Sequence, residues 1–255
     1  MDDLYTMSLD LNTLLKDWPF EPGMLKVRKV TGLDGREKLQ MRIDLGVLQM
    51  EMTGRPDGQR PHGCESLLNY HQNRAALAQA SGDEYELSAE ECSELQQEGI
   101  QYYHRYVSLF QLNDFAGVIR DTQRNLDLFN FVDKHSQREE FVWNFQQFRP
   151  YVLMMNTRAK ASLLLNENKF AEAMREIESG RDAIVEFFQQ SNFPELVSKS
   201  SEIAFLEEWL EEVSEKRPRS KLEIMQREME TAISKELYER AAELRDAIKM
   251  LKAPK

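Results

Sequence analysis

From Glu90 onward the apolar residues of this chain return every three or four positions, segment after segment, and this period limits the folds open to it. The segments run approximately from Glu91 to Leu112, Asp114 to Asp133, Arg138 to Leu165, Lys169 to Gln190 and Glu195 to Val213. Each carries one apolar stripe, and a stripe on a helix is buried most simply against another helix. The pattern therefore predicts a mainly α chain. It leaves room for strands only near the N-terminus.

Two of these segments look alike. Asn113, Phe115, Ala116 and Arg120 are matched fifty-five residues later by Asn168, Phe170, Ala171 and Arg175. Helix, short turn, Phe-Ala and second helix is the logic of a repeat that stacks on its neighbour. Around Ala159 to Ile184 the segment resembles a tetratricopeptide repeat. The spacing exceeds the roughly thirty-four residues of such a unit, and a long helix from Arg138 is expected to account for the excess. An aromatic series runs from Tyr102, Tyr103, Tyr106 and Phe110 through Phe129, Phe131, Phe141, Trp143, Phe145 and Phe148 to Tyr151. Most of these residues are expected in the core, while some line a groove of the kind that receives a peptide or helix.

Upstream the period changes. Leu4 to Trp18, closed by Pro19, reads as a short helix. Leu25 to Thr31 and Lys38 to Met52 read as two strands joined by a Gly-containing hairpin loop at Leu33-Asp34-Gly35. Within the second strand the apolar face changes parity after Gly46, which predicts a bulge or bend there. The following loop, TGRPDGQRPHGC, is stiffened by Pro56 and Pro61 and displays Arg55, Asp57, Arg60 and His62. Two readings stay open for it. Its arginines hold a carboxylate or phosphate of a ligand, or they pair with Asp57 or Glu65 and simply brace the loop. The loop lacks the ending of a phosphate-cradling P-loop. Next comes a helix over Glu65 to Ala80. Ser81-Gly82-Asp83 then marks a boundary, giving an N-terminal α+β part over 1–81, a repeat-like helical part over 82–217 and a terminal hairpin over 218–255.

Charge narrows the function. Residues 64–217 carry twenty-seven acidic and fifteen basic side chains, a field that disfavours non-specific nucleic-acid binding. No run of eighteen apolar residues exists to cross a bilayer, and Met1 to Asp17 has no basic leader. With only two cysteines, Cys64 and Cys92, the simplest compartment is a reducing cytoplasm. His62, Cys64, His71 and Cys92 lack the spacing of a zinc site, and no catalytic set is recognisable. The expectation is no metal, no cofactor and no catalytic residue.

The last thirty-five residues divide into two stripes, Leu222, Met225, Met229, Ala232 and Ile233, then Ala241, Leu244, Ile248 and Leu251, with a turn near Ser234 to Glu239. At Leu222, Met229, Ala232, Tyr238-Glu239 and the run Ala241 to Ile248 followed by Leu251, the chain resembles the UVR domain of UvrB, UvrC, ClpC-type ATPases and the McsA adaptor. That resemblance implies a protein-contact hairpin. Leu222, Met225, Met229, Leu244, Ile248 and Leu251 would then meet a partner, itself a UVR-bearing protein or a second copy, with Arg245 and Asp246 as orienting charges at the rim. The resulting expectation is a bacterial cytoplasmic adaptor without enzymatic activity. The alternatives are a ligand-responsive or enzymatic protein using the 53–64 loop, and an accessory factor in nucleotide excision repair.

Overall fold

The computed structural model describes residues 11–191, 193–218 and 221–252, with side chains at all of these except 221–223 and 251–252. The expected first helix survives as α1 (Leu11–Leu15); its first half lies outside the described residues. Three antiparallel strands follow in the order β1 (Val27–Thr31), β2 (Glu37–Ile43) and β3 (Gly46–Glu51). Leu39 of β2 pairs with Met50 of β3, and these two with Met41 form the buried face of the sheet.

The parity change at Gly46 is not a bulge. The chain reverses at Asp44-Leu45, so that Ile43 pairs with Gly46 and the expected long strand is two. The turn is held from the strand itself, since Arg42 Nη1 donates to the carbonyls of Asp44 (3.2 Å) and Gly46 (2.8 Å). Leu45 lies at its tip, almost fully exposed.

The helices are α2 (Leu67–Ser81), α3 (Ala89–Gln111), α4 (Phe115–His135), α5 (Glu139–Gln146), α6 (Arg149–Asn166), α7 (Phe170–Gln190) and α8 (Ser201–Lys216). Local chemistry sets their ends. Ser66 caps α2, Ser88 and Glu91 form a reciprocal capping box on α3, and Asp114 caps α4. The single helix expected over Arg138 to Leu165 is broken into α5 and α6. Pro150 has no N–H to continue a ladder and sits instead in the first turn of α6, where none is needed.

In this body α3 packs on α4, α4 on α6 and α6 on α7. Leu95, Leu128, Phe129, Val132, Phe145 and Val152 are central to its core. The two like segments become the hairpins α3–α4 and α6–α7, and their turns are the same. Asn113 and Asn168 each take φ 58°. Asn113 N donates to Phe110 O and Asp114 N to Leu109 O; Asn168 N donates to Leu165 O and Lys169 N to Leu164 O, all within 2.9–3.0 Å. This is the paired closure of a Schellman turn, which favours Asn or Gly at the left-handed residue.

By its internal contacts the chain divides into two units, 1–210 and 211–255. The second contains α9 (Lys221–Ser234) and α10 (Tyr238–Lys252), packed on each other.

Candidate functional site

The α9–α10 hairpin closes with the same turn as the two in the body. Glu236 adopts φ 59°, Glu236 N donates to Ile233 O (3.0 Å) and Leu237 N to Ala232 O (2.8 Å). Ala232, Ala241, Leu244 and Ile248 are buried, and the small alanines let the two helices approach. Met225 and Met229 are half-buried. Arg245 and Asp246 are exposed and pair with each other at 2.9 Å. The side chains of Leu222 and Leu251 lie outside the described residues. Among the described residues five large apolar side chains remain open to solvent in this hairpin, Ile224, Ile233, Leu237, Tyr238 and Met250. Ile224 and Leu237, with Ala232 and Leu244 beneath, line a groove of about 380 Å³ whose edges carry Arg227, Lys235 and Arg240 against Glu228. The groove is thus apolar inside and basic at its rim, a shape that fits an apolar helix carrying acidic residues.

The 53–64 loop is organised differently, by buried charge. Glu98 of α3 has no exposed surface and accepts from the first two N–H groups of α2, Leu67 (2.8 Å) and Leu68 (3.2 Å). A carboxylate at a helix N-terminus meets both unsatisfied donors and the positive end of the helix dipole. Arg124 of α4 donates to the same carboxylate, and Arg55 Nε lies 3.0 Å from it at ion-pair distance but off hydrogen-bond angle. Arg55 also faces Asp57 at 3.4 Å, and Asp57 accepts from Gln101 of α3 (3.2 Å). Further in, Arg105 is fully buried, bound by two bonds to Asp121, and its Nη1 donates to Glu51 O (3.1 Å). Arg120 Nη2 reaches Met52 O (3.0 Å). The rings of this region share in the charge, with Arg124 lying 4.1 Å from the Tyr102 ring centre.

Arg55 and Asp57 are therefore brought together and turned toward α3. Among the described residues Arg60 reaches only Gly63 O, at 3.5 Å, and His62 stacks on Tyr70 with ring centres 4.0 Å apart. A cavity of about 730 Å³ does open beside the loop. Its Arg36, Arg55 and Arg60 face Glu37, Glu51 and Glu65 on the same walls, so it concentrates no net positive charge. Glu98, Arg105, Asp121 and Arg124, which fix the loop, escape the sequence reading. Their signal was present, because Leu95, Glu98, Tyr102, Arg105 and Leu109 fall on one helical stripe and a charge inside an apolar stripe is a buried charge.

Fewer of the aromatic series lie in the core than expected, with Phe110, Phe131, Phe141 and Tyr151 half-buried. Tyr102, Tyr106, Phe129 and Phe145 are buried, whereas Tyr103, Trp143 and Phe148 are exposed. Ile100, Tyr103, Phe148 and Tyr151 border an apolar groove of about 630 Å³ between α3 and α6, with Phe129 of α4 at its floor. Among the described residues no group of His, Cys, Asp and Glu is placed to hold a metal ion.

Residues 219–253 match the family profile described as the UvrB/uvrC motif, which covers the α9–α10 hairpin. No tetratricopeptide family is identified for the repeat-like segments. Neither the curated proteins nor the solved structures include a match to this chain.

Proposed function

We propose that this UVR-motif protein is a non-enzymatic adaptor that captures a protein partner through its terminal hairpin. The observation that carries the reading is the hairpin groove between Ile224 and Leu237, apolar within and basic at its edges, in a segment matching the UvrB/uvrC motif. Leu244 and Ile248 seal the two helices to each other, so partner contact falls to the solvent-facing Ile224, Ile233, Leu237 and Tyr238. A UVR-bearing protein or a second copy docks as an apolar helix, with acidic side chains meeting Arg227, Lys235 and Arg240. The apolar groove between α3 and α6 gives the helical body a second contact surface, as an adaptor requires.

The test is affinity capture from extracts of the source cells, comparing the whole chain, the chain ended after residue 218, and Leu237→Asp. The adaptor reading expects a discrete set of partners on the whole chain that both variants lose, with unchanged near-ultraviolet dichroism of the body. Identical capture by all three would overturn it. Recovery of excision-repair proteins in the lost set would place the adaptor in that pathway, and proteolysis regulators would place it in another.

A further inference from the structure

A cavity of about 1100 Å³ in the helical body opens between α4, α5, α6 and α7 and holds an arginine with no direct carboxylate partner among the described residues. Arg149, at the start of α6, is half-buried. Its Nε donates to Gln146 Oε1 and its Nη2 to Asn130 Oδ1, both at 2.6 Å. Among the described residues no carboxylate lies within 4.0 Å of it. In the same acidic stretch Arg105, Arg120 and Arg124 have carboxylate partners, whereas Arg149, like Arg158, has none within that distance among the described residues. Amide oxygens orient a guanidinium without neutralising it, and a charge removed from water without a counter-ion is costly. Burial lowers the pKa of Arg149, and Asp133 on the same walls opposes that shift without reaching ion-pair distance.

The arrangement is braced. Gln146 is itself buried, and its Nε2 donates to Phe129 O (3.2 Å), which turns Oε1 toward the guanidinium. Around it stand Phe187, whose ring centre is 5.8 Å from the guanidinium carbon, Trp143 and Phe193, the last two 5.2 Å apart. Asp133, Glu139 and Glu186 occupy the same walls. These acids oppose a polyanion such as phosphate. They suit a ligand with one carboxylate at Arg149, an apolar group beside it, and a cation further along.

We infer that this cavity binds the carboxyl terminus of a peptide, with the α-carboxylate on Arg149, the last apolar side chain among Trp143, Phe187 and Phe193, and an upstream lysine or arginine on Asp133, Glu139 and Glu186. A C-terminal residue carries carboxylate and side chain on one carbon, which matches the short distance from the guanidinium to the Phe187 ring. The volume accommodates several residues of such a peptide. This site is independent of the terminal hairpin.

The probes are acetyl-Lys-Gly-Leu-Phe and its counterparts ending in Leu or Val, each as free acid and as C-terminal amide, titrated calorimetrically into the whole chain. At least one free acid binds, its amide binds about tenfold or more weakly, and replacing lysine by glutamate weakens it further. Arg149→Gln removes the difference between acid and amide, and Arg149→Lys restores part of it. Should the acids and amides bind alike, or no free acid bind below about 1 mM, where association is worth only about 4 kcal/mol, the assignment falls. The acid-to-amide comparison needs no variant, so it stands even if Arg149→Gln unfolds.

Discussion

Arg105 and Asp121 face each other across α3 and α4 with two parallel bonds, Nε to Oδ2 at 2.6 Å and Nη2 to Oδ1 at 2.8 Å, and neither side chain has any exposed surface. Through Nη1 the same arginine holds Glu51 O at the end of β3, so the pair joins two helices and the sheet. Removing one partner strands the other charge in the interior, at a cost of about 3–5 kcal/mol. Asp121→Asn is therefore expected to lower the urea midpoint of the body strongly. The double change Arg105→Met with Asp121→Leu should recover much of that loss, since the stranded charge goes with it. A midpoint unchanged in Asp121→Asn would show the pair to be energetically idle.

Legibility follows how local each determinant is. The capping box of Ser88 and Glu91 and the paired Asn113 and Asn168 turns can be read from the chain, because the groups that satisfy the backbone are neighbours in sequence. The Asp44-Leu45 turn cannot. Asp-Leu is not among the usual hairpin-turn pairs, and the Arg42 guanidinium that stabilises the turn arrives from the strand. The same holds for Arg149, whose partners Asn130 and Gln146 sit on separate helices. Its lack of a direct carboxylate partner among the described residues is a property of where three elements converge.

Close approach of α6 and α7 rests on one residue. A Cβ at Gly180 would stand 2.0 Å from Thr157 Oγ1 and 2.7 Å from its Cβ. Alanine ordinarily improves a helix by about 1 kcal/mol over glycine, but overpacking here costs about 1–3 kcal/mol. Gly180→Ala is expected to destabilise the body in thermal unfolding, and Thr157→Ala introduced beside it to restore much of the loss. A stabilised Gly180→Ala would mean that the two helices can part freely.

Buried His71 makes stability depend on pH. Its Nδ1 lies 2.6 Å from the hydroxyl of Tyr85, whose pKa burial pushes up to about 12, so the phenol is the donor and Nδ1 the acceptor. Burial lowers the His71 pKa below its usual value, opposed by Glu91 at 3.9 Å. The unfolded chain therefore takes up this proton before the folded one. The stability from His71 is complete above about pH 6.5 and is lost as pH falls from there through the lowered folded value, at up to about 1.4 kcal/mol per pH unit. Burial lowers the His104 pKa as well, which makes the informative quantity the gap between wild type and His71→Gln. That gap should narrow from pH 7.5 to pH 5; a constant gap would contradict the depressed value.

The hairpins α3–α4, α6–α7 and α9–α10 each close on a left-handed residue, and of these three the last places a long side chain there. Asn113 and Asn168 tolerate φ near 58° through their short polar side chains, whereas Glu236 holds φ 59° without that help. Glu236→Gly removes a strain of about 1–2 kcal/mol and gives back about 0.4–1 kcal/mol through greater freedom of the unfolded chain. The expected net effect is slower amide hydrogen exchange across α9 and α10 by roughly a few-fold, where each 1.4 kcal/mol is a factor of ten in the opening equilibrium. Asn168→Ala should act in the opposite direction on α6 and α7. Because the hairpin groove is lined from both helices, the stiffened Glu236→Gly hairpin should also release a captured partner more slowly. Faster exchange in Glu236→Gly would show that the glutamate side chain contributes more to the turn than its backbone costs.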